Sequence, residues 1–125
     1  MDLKTVKKMQ TELSNRQSKL EVTKSAVAEI GLLEVKTIDA EEQSLEVLRD
    51  EIFSAQIELI NLIFERVETQ NARDVLIARY VRCEPFGAIS AELNLSESAI
   101  YKLHRQGVRE FTSAEMVYKS LHFQR

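Results

Sequence analysis

The side chains best placed to do chemistry lie in and just after residues 86 to 105, FGAISAELNLSESAIYKLHR: Ser96, Glu97, Ser98, Tyr101, Lys102, Arg105 and, one turn on, Arg109. These types do not compose an acid–base pair, an activated nucleophile or a metal site. Lys102 and Arg105 can donate to guanine edges or to phosphate oxygens, and Ser96 and Ser98 can hold a phosphate at a helix N-terminus. Tyr101 can meet a thymine methyl or donate to the backbone of a duplex. Glu97 places a carboxylate in the positive first turn of the helix that follows.

Such a row acts only if a helix carries it outward, and the same residues specify how. Two short helices crossing steeply over a tight turn force apolar side chains to recur at fixed offsets, and Ile89, Leu93, Leu95, Ile100 and Leu103 occupy those offsets. Ser90 is small enough for the closest approach of the helices. Asn94 tolerates the positive φ of the turn, and Ser96 caps the second helix by accepting from a backbone N–H one turn ahead. The pattern predicts a helix-turn-helix whose second helix presents Ser98, Tyr101, Lys102, Arg105 and Arg109.

The chain has 125 residues, only three Gly and one Pro, and 30% charged residues, with no sustained alternation of apolar and polar side chains. An all-α fold follows. No stretch approaches the roughly 18 consecutive apolar residues of a membrane span, and the basic N-terminus lacks a signal-peptide core, so a cytoplasmic protein without membrane contact is expected. Cys83 is the single cysteine. It excludes an internal disulfide and a thiolate zinc site, and is read as a small packing residue near a helix end. His104 and His122 have no metal-ligand spacing with the nearby acids, and no glycine-rich phosphate loop exists, so no cofactor and no enzymatic activity are expected.

The net charge of −3 is unevenly spread. Residues 37–70 hold two arginines against nine acids, a net −7, while residues 1–36 and 71–125 are each +2. A surplus of two is small for a protein that neutralises phosphates, and dimerisation would double it.

Upstream, Val6, Leu13, Leu20 and Val27 recur every seven residues from about Leu3 to Ile30, with Met9 and Ile30 in a second, interrupted row. Gly31 suits the helix stop, and Leu32 to Ile38 reads as a connector. Asp39 with Glu42 resembles a capping box that starts a second helix running to about Glu68. Its apolar side is wide, and Leu45, Leu48, Ile52, Phe53, Leu59, Ile60 and Ile63 are predicted to serve as the dimer or partner interface. A third helix is predicted from about Ala72 to Arg82, Pro85 opens the next, and Thr112 with Glu115 suggests a short, separately capped final helix bearing Met116, Val117, Tyr118 and Leu121. The organisation expected is a helical coiled-coil or hairpin-like dimerisation region over 1–70 and a DNA-binding helix-turn-helix domain with a C-terminal helix over 71–125.

RDVLIARYV, FGAISAELNLS and ESAIYKLHRQGVREF together resemble the supporting, scaffold and recognition helices of the sigma-factor helix-turn-helix that reads the upstream promoter element. The RYV-type helix and YKLH segment are similar to those of the phage ArpU and RinA family of late-transcription regulators. That resemblance, which covers about a third of the chain, implies base-facing roles for Glu97, Ser98, Tyr101, Lys102 and Arg105. It implies a regulator of phage or mobile-element type that binds double-stranded DNA as a homodimer with its recognition helices in the major groove. The alternative is a protein-binding module that grips RNA polymerase or another transcription factor, a decoy or inhibitor of phage late transcription.

Overall fold

The computed structural model describes the backbone of residues 1–30 and 35–123, and the side chains of 1–29 and 37–116. Gly31 and residues 32–34 of the expected connector lie outside the described residues, as do the side chains of Val117, Tyr118, Leu121 and His122, whereas the rest of that connector, Val35–Ile38, is already helix. Among the described residues all the regular structure is helical: α1 (Thr5–Ile30), α2 (Val35–Arg66), α3 (Gln70–Leu76) continued by a π-helical segment (Ile77–Val81), α4 (Phe86–Leu93) and α5 (Glu97–Phe123).

The chain forms two compact units, one of Lys4–Gln56 and the other of Ile57–Arg125 with Met1–Leu3. In the first, the seven-residue row of α1 turns inward, with Val6 and Leu20 buried and Leu13 and Val27 half-buried. Leu45, Leu48, Ile52 and Ala55 of α2 are buried in the same unit. Polar links tie the two helices: Arg16 donates to Glu41 at 3.1 Å and to Ser44 at 2.6 Å, and Lys24 pairs with Glu42. These carboxylates hold the Arg16 and Lys24 pKa values above their ordinary range, but the pairs face solvent and contribute little to stability.

α2 begins at Val35, so Asp39 and Glu42 sit inside the helix and do not form the expected capping box. A capping box acts only where the preceding backbone leaves the helix, and Val35–Ile38 are already helical. Glu41 and Glu42 serve the link to α1 instead.

In the second unit the last turns of α2 bury Leu59 and Ile63, with Val67 just beyond. Thr69 caps α3 by position, but its hydroxyl is spent on α5, donating to Glu110 at 3.1 Å and accepting from Gln106 at 3.0 Å. Arg66 lies over the ring of buried Phe111, 4.7 Å from its centroid. Phe111 and Gly107 point α5 inward, and α5 runs unbroken to Phe123. The separate final helix is therefore absent: no proline interrupts the stretch, Gly107 alone costs a helix only about 1 kcal/mol, and Thr112 with Glu115 lies within continuous helix.

Candidate nucleic-acid interface

The unit's platform is the small core formed by Val75, Ala78, Ile89 and Ile100, on which Phe86, Leu93 and Leu103 pack. Each helix of the motif contributes, which fixes α4 and α5 against α3. Leu95 is the exception among the five apolar positions read from sequence, being 37% exposed at the turn.

The turn itself is built from local chemistry. Pro85, with φ −71° and ψ 155°, is the N-cap residue of α4, one position before the helix start assigned to it from sequence. Asn94 takes φ 55° and ψ 44°, the left-handed conformation that ends α4. The Ser90 hydroxyl donates to the Leu95 carbonyl, so this residue closes the turn. Ser96 accepts from the Ala99 N–H at 3.2 Å and thereby starts α5.

All seven side chains proposed from sequence are exposed: Ser96, Glu97, Ser98, Tyr101, Lys102, Arg105 and Arg109. The buried or half-buried Ile100, Leu103, Gly107 and Phe111 define the opposite side of α5. At 100° per residue, Ser98, Lys102, Arg105 and Arg109 fall within one stripe facing away from the core. Tyr101 is at the edge of that stripe, 45% exposed, its ring 4.8 Å from that of Phe86. A shallow groove lined by His104, Arg105, Val108, Arg109, Thr112 and Ser113 extends the stripe along α5.

Behind it lies an aromatic and cationic cluster that sequence reading did not foresee. Val81 ends a π-helical stretch, in which the Arg82 N–H reaches the Ile77 carbonyl five residues back. The wider turn re-aims two side chains: Arg79 stands over Phe86 at 4.2 Å, and the Tyr80 hydroxyl meets His104 Nε2 at 2.7 Å. Phe86 packs edge-on against His104, with ring centroids 5.1 Å apart. Burial, reinforced by Arg79, pushes the His104 pKa below its usual value; burial raises that of Tyr80. His104 is thus a half-buried support at the edge of the motif.

Arg82 makes a bidentate contact with Glu92 of α4, at 2.9 and 3.0 Å, and approaches Glu84 at 3.3 Å. Hydrogen bonding to Arg82 lowers the Glu92 pKa, while the neighbouring Glu92 raises that of Glu84. This clamp holds α4 to the end of the π-helical segment, where Cys83 takes φ 57°. No signature of the π-helical segment is visible in ARYV, since α-helical and π-helical turns draw on the same residue types.

Five of the seven residues expected at a partner interface, Leu45, Leu48, Ile52, Leu59 and Ile63, are buried inside the single chain. They are core residues. An α2 face this apolar is consumed by intrachain packing before any second molecule arrives. Phe53 is 64% exposed and Ile60 half-buried.

Among the described residues, no group of three or more His, Cys, Asp or Glu is arranged to hold a metal ion, and no helix is long and apolar enough to cross a membrane. Compared with protein-family models, curated proteins and solved structures, the chain has no match.

Proposed function

We propose that the protein binds double-stranded DNA as a transcription regulator of phage or mobile-element type, with the first half of α5 in the major groove and α4 crossing the backbone. The observation that carries this reading is the outward stripe of Ser98, Lys102, Arg105 and Arg109 on a helix whose other side is fixed by Ile100, Leu103 and Phe111. A helix held rigidly at its base and cationic at its face suits recognition in a groove wide enough to admit it. Ser96 and Ser98 at the N-terminus of α5 add hydroxyl donors for a phosphate, beside the backbone N–H groups of its first turn. This reading places the protein in the cytoplasm and requires neither cofactor nor catalysis.

The test is binding to a randomised duplex library, followed by titration of the enriched sequence at about 50 and 200 mM salt. Sequence-selective binding that weakens with salt is the result expected. Absence of any duplex binding at 50 mM salt overturns it.

A second reading, a module that grips RNA polymerase or another transcription factor, is favoured by the small basic surplus of +2 over residues 71–125. It calls for the same α5 face to bind protein in the absence of DNA.

A further inference from the structure

Between Ser98 and Ser113 the side chains of α5 that lie within about 60° of the direction opposite Ile100, Leu103, Gly107 and Phe111 are Ser98, Lys102, Arg105, Arg109, Thr112 and Ser113, all exposed. Each is a cation or a hydroxyl. The carboxylates among the described residues of α5, Glu97, Glu110 and Glu115, stand roughly 100° or more round the helix from the centre of that stripe. Gln106, the one amide among the same residues, is already engaged: its Nε2 donates to the Thr69 hydroxyl at 3.0 Å, which in turn donates to Glu110 at 3.1 Å.

This inventory of donors bears on which base edge the face can match. Lysine and arginine donate hydrogen bonds and accept none. In the major groove guanine presents two acceptors, N7 and O6, while adenine sets its N7 acceptor beside the N6 donor, thymine sets O4 beside a methyl group, and cytosine offers a donor at N4. The side chains that pair with adenine and with cytosine are an amide and a carboxylate respectively, and the stripe holds neither. Tyr101, the residue able to meet a thymine methyl, lies about 65° off the centre of the stripe with its ring 4.8 Å from that of Phe86. The helix rises about 4.5 Å from Lys102 to Arg105, against a base-pair step of about 3.4 Å.

We infer that the α5 face selects guanine, with Lys102 and Arg105 donating to N7 and O6 of two guanines one or two base pairs apart. The inference rests on the proposed placement of α5 in the major groove and adds the class of sequence that it takes there. A·T pairs at either position leave a cationic donor facing the adenine N6 donor or the thymine methyl, and are disfavoured. The hydroxyls of Ser98, Thr112 and Ser113 both donate and accept, so they impose no such choice on the flanking positions.

Selection of the full chain on a randomised duplex library is expected to enrich sites that share two guanines at that spacing. Replacing either guanine by 7-deazaguanine keeps the base pair and the phosphates but removes the N7 acceptor, and is expected to weaken binding by roughly tenfold. Arg105→Ala is expected to abolish the penalty at one of the two guanines and Lys102→Ala the penalty at the other, a pairing of residue with base that loss of fold or of net charge would not produce. Replacing adenines elsewhere in the site by 7-deazaadenine is expected to change nothing. Selected duplexes without the guanine pair, a 7-deazaguanine site bound as well as the parent, or penalties that persist in both variants would overturn the inference while leaving duplex binding in place. A chain that binds no duplex at about 50 mM salt overturns the parent reading and this one together.

Discussion

A β-carbon placed on Gly107 would stand 2.9 Å from Cγ of Leu76, so α3 and α5 meet with no room for a side chain between them. Leu76 is fully buried, and its branch point cannot swing aside as a chain end would. Gly107→Ala gains up to about 1 kcal/mol of helix propensity but overpacks the contact, which costs about 1–3 kcal/mol. A net loss of about 1 kcal/mol is expected in thermal or urea unfolding. Leu76→Ala alone should cost about 2–5 kcal/mol, and in that background Gly107→Ala should turn neutral or stabilising. Additive losses would show that the two residues do not meet.

The turn gives a second pair of outcomes. Asn94 holds φ 55°, and Ser96 accepts the Ala99 N–H. Asn94→Ala should destabilise by about 1 kcal/mol, while Asn94→Gly should be tolerated, because only glycine enters the left-handed region freely. Ser96→Ala should cost about 0.5–2 kcal/mol and Ser96→Asp should restore most of it, read as shifts in the unfolding midpoint.

These two sites also show where sequence is readable. The positive φ at Asn94, the cap at Ser96 and the inward set of Ile89 and Ile100 follow from chemistry confined to a few neighbours, and they stand as read. The starts inferred from Asp39–Glu42 and Thr112–Glu115 failed for the opposite reason. A Thr or Asp three residues before a Glu can sit anywhere in a helix, and whether it caps depends on the preceding backbone, which that pattern does not encode. The breadth of apolar residues on α2 was visible, but not its division into a buried row and a separate exposed stripe. Leu59 and Phe64 differ by little in type and by about 140° in direction. The π-helical turn that sends Tyr80 to His104 left no trace in composition, so the aromatic support of α5 was invisible.

His104 supplies a pH dependence. Burial and Arg79 lower its folded pKa, so between that value and the unfolded value near 6.5 the unfolded chain binds the extra proton. Stability is therefore complete above about pH 6.5 and falls as pH drops through the window below it. Protonation also makes Nε2 a donor, to which the Tyr80 hydroxyl must accept. The unfolding midpoint should drop between pH 7.5 and 5.5, and His104→Gln should flatten that drop. A profile identical in the variant would assign the dependence to other groups.

Binding at the α5 face separates into two kinds of contact, and salt distinguishes them. If Lys102, Arg105 and Arg109 all lie on phosphates, log affinity should fall against log salt with a slope of about −2.7 per protomer, and each alanine substitution should reduce that slope by about 1 while weakening all sequences alike. If Arg105 instead donates to a guanine edge, Arg105→Ala should weaken the preferred duplex by roughly tenfold to a hundredfold, relax selectivity at one base pair, and leave the slope nearly as steep. Anisotropy titrations of the three variants at several salt concentrations decide it. Three equal slope changes with no loss of selectivity would place all three cations on the backbone, leaving Ser98 and Tyr101 as the remaining readers of sequence.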